Sequence, residues 1–172
     1  MNKIPWMLAA MVWIMTANAA AQTVAFDTAV MKPNDTANTL NFLIEKAVES
    51  GKGYEEAADR VTYAGLKVRF LITSIQREKF AKELQKIVKH LKASEEIFTN
   101  VPYSPWFGGG DVRTHDDKDV LKALKPREEN ILAAYQEALD KDLPQDIREV
   151  VQKQAEKVES LYKWIAKNTP GK

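Results

Sequence analysis

AGLKVRFLITSIQREKFAKELQKIVKHLKA, residues 64–93, sets Leu66, Phe70, Thr73, Arg77, Phe80, Leu84, Ile87 and Leu91 at alternating steps of four and three. That spacing keeps one stripe of side chains on a single face of an α-helix, where it can be buried against a neighbour. It predicts a helix over 64–93. A charged residue, Arg77, stands in the middle of the stripe, so whatever the helix packs against must answer a buried cation.

The same period recurs on both sides. Upstream, a helix beginning at Asn34 or Asp35 carries Leu40, Ile44, Ala47, Gly51, Tyr54, Ala58 and Val61; either Asn34 or Asp35 suits an N-cap, because a short side-chain oxygen can accept from the free N–H groups of the first turn. Downstream, a helix starting near His115 or Asp116 carries Leu121, Leu124, Glu128, Ile131, Tyr135 and Ala138. Pro126 falls inside that pattern and predicts a kink or restart around Lys125 to Glu128. Asp142-Leu143-Pro144 makes a turn, and Gln145 to Lys167 carries Ile147, Val151, Gln154, Val158, Leu161 and Ile165 before Asn168, Pro170 and Gly171 end it.

Between Ser94 and Thr114 the period is lost among Pro102, Pro105 and Gly108-Gly109-Gly110, with Tyr103, Trp106 and Phe107 interspersed. Two hairpins joined by one loop of about twenty residues predict an all-α antiparallel four-helix bundle, ferritin-like, with one long crossover between helices two and three. A helix of ~28 residues is ~40 Å long, and a loop of this length can return along it. An up-down bundle with a long excursion is the alternative. The bundle is expected over 35–168.

The chain opens with Lys3, an apolar run from Ile4 to Ala17, and the small residues Ala17-Asn18-Ala19-Ala20-Ala21. A basic start, an apolar stretch short for a ~30 Å bilayer and an A-x-A site describe a secretory signal peptide at 1–21. An uncleaved membrane anchor is the competing reading. Residues 22–34 hold Pro33 and no sustained period, and are expected to be an extended leader. The protein is then periplasmic or secreted, with no stable membrane insertion once the signal is cut. Cysteine is absent, which removes thiol catalysis, disulfides and Cys-type metal sites. Net charge is +1, carried by interspersed acids and bases, and a basic face of the kind that nucleic acid requires is lacking.

The four stripes turn polar or small at one depth: Gly51 with Tyr54, Arg77, Glu128 and Gln154. In di-metal bundles that level holds a Glu from each of two helices and a Glu-x-x-His from each of the others. Here Glu83 is followed three residues on by Lys86 and Glu159 by Tyr162, while His90 lies off the stripe and His115 at a helix start. An isolated buried carboxylate is very costly, so Glu128 is expected to pair with Arg77, with Gln154 and Tyr54 completing the hydrogen bonds. Two alternatives stand: Arg77 and Glu128 edge the stripe and reach water, or Glu128 and Glu83 join a metal site holding iron or manganese. No cofactor is expected on the first reading.

Glu49-Ser50-Gly51-Lys52-Gly53-Tyr54, followed by Glu55-Glu56-Ala57-Ala58, resembles the first-helix D-G-x-x-G-Y motif of bacterial ferritin-like four-helix proteins known as a domain of unknown function (DUF2383-like). Arg77, Phe80, Glu83 and Leu84 are similar to that family's R-x-x-F-x-x-E-L. Glu128, Glu129, Tyr135, Ala138 and Leu139 are similar to its third-helix pattern, and Leu143-Pro144-Gln145-Asp146 to its turn. The resemblance spans Thr39 to Ile165, and the family's fourth-helix His is Tyr162 here. It implies a ferritin-like fold and an association with bacterial stress response. It supplies no substrate, because function belongs to the site and not to the fold.

No Ser/His/Asp constellation, phosphate loop or metalloprotease spacing is present; Gly108-Gly109-Gly110 follows Trp106-Phe107 and no strand. The expectation is an exported bundle with a non-catalytic binding or structural role in the bacterial envelope. A homo-oligomer or a protein partner would engage it through Tyr103, Trp106 and Phe107, unless those aromatics pack on their own bundle. A metal-binding protein and a small-molecule binder between the helices are the other readings.

Overall fold

A computed structural model of the chain describes residues 31–91, 101–108 and 116–169. Four helices, α1 (Pro33–Arg60), α2 (Ala64–His90), α3 (Asp117–Leu139) and α4 (Gln145–Asn168), account for nearly all of them. The expected signal peptide, most of the expected leader and His115 lie outside the described residues.

α1 starts earlier than the capping pattern suggested. Lys32 is its N-cap, without a side-chain hydrogen bond, and Pro33 is its first helical residue. Proline suits that position because its fixed φ is helical and its missing N–H would have had no partner there. Pro33 therefore opens the helix and does not belong to an extended leader. At α3 the cap is Asp116, whose side chain accepts from Lys118 N at 3.1 Å. Pro126 lies on the exposed side of α3, and the helix runs unbroken through it; with the ring facing water, the carbonyl it leaves unpaired can be solvated. At the far end of α3, Arg148 donates to the carbonyls of Leu139 and Lys141, each at 2.6 Å, and so satisfies acceptors that a helix terminus leaves open.

The direction of each helix follows from contacts at the two ends. Three residues, Val61 to Tyr63, separate α1 from α2, so those two are antiparallel. At that end the Asp117 carboxylate accepts from Thr62 N at 2.7 Å, Thr62 Oγ1 at 3.1 Å and Tyr63 N at 3.0 Å, which puts the start of α3 beside the end of α1. At the other end Met31 N donates to Asp142 O at 3.0 Å, which puts the end of α3 beside the start of α1. Thus α3 runs against α1 and with α2, and the chain must travel the length of the bundle between the end of α2 and the start of α3. Residues 101–108 lie on that path: Lys52 Nζ donates to Val101 O at 3.4 Å and Arg60 Nη2 to Gly108 O at 2.8 Å. The crossover topology is therefore present, and the up-down alternative is not.

α1 packs on α2 and α3, and α3 on α4. The stripe residues of α1 from Leu40 to Val61 are all buried, as are Phe70, Phe80 and Leu84 of α2, Ile131 and Tyr135 of α3, and Val151, Val158 and Ile165 of α4. Leu66, Ile87, Leu91 and Leu161 are half-buried, three of them toward the ends of α2, where fewer neighbours cover the stripe.

Candidate functional site

The periods that bury leucines elsewhere bring a cluster of polar groups to the middle of this core. Arg77 is 1 % exposed and Glu128 0 %. Arg77 Nη2 donates to Glu128 Oε1, and Tyr54 Oη donates to Glu128 Oε2 at 2.7 Å. Both carboxylate oxygens are thus taken by donors from two other helices. Arg77 Nε and Nη1 are buried with no hydrogen-bond partner among the described residues, and the guanidinium carbon lies 5.6 Å from the centre of the Phe80 ring.

Gln154 reaches this depth but not the ion pair. Its Oε1 accepts from Tyr135 Oη at 2.9 Å, and its Nε2 donates to Glu83 Oε2 at 2.8 Å. A second chain of hydrogen bonds therefore leads from the core through α4 to an exposed carboxylate on α2. Gln154 was expected to complete the first cluster, but the turn of α4 aims its amide at the α2 surface. Tyr135 was counted as an apolar core residue, although a buried phenol needs an acceptor.

Burial raises the Glu128 carboxyl above its ordinary value, while the Arg77 charge and the Tyr54 and Arg77 hydrogen bonds pull it back part of the way. Burial also holds the Tyr54 hydroxyl well above 10, assisted by the Glu128 charge and opposed by Arg77. Burial likewise raises Tyr135. Both phenols are thus hydrogen-bond donors across the ordinary pH range.

Such a site does not suit a metal pair. Glu128 and Glu83, the two alternative ligands, belong to separate hydrogen-bond chains, and Glu128 already faces a guanidinium. Among the described residues no group of three or more His, Cys, Asp or Glu side chains is placed to hold a metal ion. His90 is exposed, with its Nδ1 2.7 Å from Lys86 O on its own helix.

A second cluster, beside the first, joins the aromatics expected to meet a partner, Tyr103, Trp106 and Phe107, to Glu56, Arg60 and Arg127, which the sequence did not single out as a site. The Glu56 carboxylate accepts from Tyr103 Oη at 2.6 Å, Trp106 N at 2.7 Å, Phe107 N at 3.3 Å and Arg60 Nη2 at 3.1 Å. Burial pulls Glu56 upward, but these donors and the Arg60 charge outweigh it and hold its carboxyl below the usual range. Burial and the same carboxylate push Tyr103 up to about 12. Trp106 is 6 % exposed. Its ring meets Tyr54 edge-on at 5.6 Å, lies 5.1 Å from the Arg127 guanidinium, and covers Gly53 so closely that a Cβ there would stand 2.1 Å from Cδ2. Arg127 Nη2 also donates to Trp106 O at 2.6 Å.

The aromatic crossover is therefore laid on its own bundle. Trp106 is covered, and Tyr103 and Phe107 are half-buried. Tyr54 connects the two clusters, since its hydroxyl serves Glu128 and its ring stands between Trp106 and Phe70, 5.8 Å away.

A family described as Domain of unknown function (DUF2383) matches residues 35–102. The match takes in α1, α2 and the opening of the crossover, the part of the chain that carries the G-x-G-Y and R-x-x-F-x-x-E-L residues. No curated protein matches the chain.

Proposed function

We propose, from a first hairpin of the DUF2383 kind and a core closed by an ion pair, that the protein is an exported helical bundle with a binding or structural role in the bacterial envelope, without a di-metal centre. One observation carries the reading. The Arg77 guanidinium occupies the level at which metal-binding bundles converge their carboxylates, and it neutralises Glu128, the only buried acid among the described residues. A divalent cation would have to displace the guanidinium charge from Glu128. The apolar run from Ile4 to Ala17 and the A-x-A site supply the export half of the proposal, and a role in stress physiology rests on the family resemblance alone.

Two measurements test it. Intact mass of the native protein recovered outside the cytoplasm should show a start close to Ala20 to Gln22, and a mass that includes Met1 to Ala19 overturns export. Thermal unfolding with and without added iron(II) or manganese(II) should give the same midpoint. Stoichiometric metal that raises the midpoint of the parent, and is lost in Glu128→Gln, replaces the ion pair with a metal site.

A further inference from the structure

α2 is apolar on two sides. Opposite the buried Phe70, Arg77 and Leu84, its outer face carries Val68, Leu71, Ile72 and Ile75, exposed to 56, 40, 62 and 53 %. At 3.6 residues per turn these four form one stripe turned away from the bundle, and isolated exposed leucines do not make such a pattern. Beside the stripe runs an open groove of about 580 Å³ between α2 and α4, walled by Val68, Ile72, Thr73, Leu161 and Trp164. A ridge and a groove thus lie next to each other on one surface, and Arg69, stacked 4.1 Å from the Trp164 ring, and Lys157 line the polar part of the groove.

We propose that this face is the interface of a homodimer in which two copies of α2 pack antiparallel about a two-fold axis between Leu71 and Ile72. The pattern is self-complementary about that point. Val68 meets the second copy's Ile75, Leu71 meets its Ile72, and each ridge enters the other copy's groove, as an isologous contact requires. Charge agrees with the antiparallel sense. Beyond the stripe the outer face of α2 continues as exposed Lys79, Lys82 and Lys86. The axis sets Lys79 and Lys82, the latter also paired with Glu78 of its own helix at 2.6 Å, over the bundle end of the other copy, where Asp59 is 71 % exposed in a 3.9 Å pair with Lys67 and Asp119 stands in the first turn of α3. The four stripe residues expose on the order of 350 Å², close to half of the ~800 Å² per partner in a standard interface; the groove walls and charged flanks extend the contact. This dimer does not use the aromatic crossover, whose Trp106 the bundle itself covers.

The test uses protein purified from expression of the full chain. Sedimentation up to about 100 µM, at which a dissociation constant of about 10 µM leaves most chains dimeric, should show twice the chain mass. Ile72→Glu should sediment as a monomer with unchanged helical circular dichroism. Lys79→Glu should raise the dissociation constant about tenfold by removing one attraction and adding a repulsion, and Asp59→Lys in the same chain should restore it. Because the chain has no cysteine, Ile72→Cys should oxidise to a covalent dimer, whereas Lys153→Cys on α4 should not. A monomeric parent, a dimer that survives Ile72→Glu, or equal cross-linking at both positions overturns the proposal. So does a monomer that sediments with anionic vesicles, which would assign the stripe to a lipid surface.

Discussion

Replacing Gly53 with Ala should destabilise the protein, although the change is from the poorest ordinary helix former but proline to the best. In an exposed helix it would gain about 1 kcal/mol. At Gly53 the new Cβ would stand 2.1, 2.3 and 2.4 Å from three atoms of the Trp106 ring. That ring cannot slide, because Trp106 N is held by Glu56, Trp106 O by Arg127, and Tyr54 closes the edge. Local overpacking costs about 1–3 kcal/mol, and eviction of the ring approaches the ~3–5 kcal/mol of losing a buried aromatic. With the ring held on both sides the cost is that of eviction, and less the propensity gain the net loss should fall between about 2 and 4 kcal/mol. Gly51, two residues earlier, is the control: a Cβ there would meet Arg77 Cβ and Ser74 O at an ordinary 3.6 Å, so Gly51→Ala should be neutral or stabilising. Urea unfolding followed by circular dichroism measures both, and a Trp164→Phe background in which Trp6 and Trp13 are also replaced leaves Trp106 as the fluorescent reporter of the crossover. In a Trp106→Ala background the sign should reverse, with Gly53→Ala now gaining stability. A stabilising Gly53→Ala with unchanged Trp106 emission would refute the packing argument.

Arg77→Met should cost about 3–5 kcal/mol at pH 7, because it leaves the Glu128 carboxylate buried and unpaired. Its carboxyl, already raised, then rises further, so the variant loses stability as pH climbs from the ordinary carboxylate value through the folded one and recovers on acidification; adding Glu128→Gln should restore most of the loss, and two additive losses in urea unfolding would show that the pair does not exist. Glu56 has the opposite sign. Its folded value is lowered, so its contribution is complete above the ordinary carboxylate range and is lost as pH falls through the folded value, and Glu56→Gln should flatten the pH dependence of the urea midpoint between about pH 3 and 6. Leu84→Ala, at a fully buried position, should cost about 2–5 kcal/mol; a loss under about 0.5 kcal/mol would mean that the α2 stripe does not face the core.

The periodic part of the structure was legible because burial on a helix recurs every three or four residues whatever the partner is. Leu40 through Val61 and Phe70 through Leu84 lie where that rule puts them. The same rule gives depth along a helix but not the direction in which a long side chain turns at its tip. Gln154 was therefore placed at the right level and given the wrong neighbour. Tyr135 was read for its ring and not its hydroxyl. Glu56 and Gly53 lay beyond reach because their partner is the crossover, which has no period; only the packed structure shows that a glycine in the motif faces a tryptophan fifty-three residues further on. The second apolar stripe of α2 was present in the letters Val68, Leu71, Ile72 and Ile75, but the stronger eight-position stripe explained the helix first.

The two polar chains in the core do what a metal centre would otherwise do for registry. Tyr54, Arg77 and Glu128 join α1, α2 and α3, while Tyr135, Gln154 and Glu83 join α3, α4 and α2. Apolar stripes tolerate sliding, since leucine against leucine one turn away is nearly as good. These hydrogen bonds do not tolerate it. A slip of one residue is ~1.5 Å and of one turn ~5.4 Å, enough in either case to take a charged or phenolic group off its only buried partner and to incur the cost of a bare polar group. Burying an ion pair gains little stability over an apolar core, so its value here lies in the difference between the right alignment and the wrong ones. The crossover makes that difference matter. With α2 and α3 parallel and connected by a long segment, no short turn sets their relative height, and the Arg77–Glu128 pair joins those two helices directly.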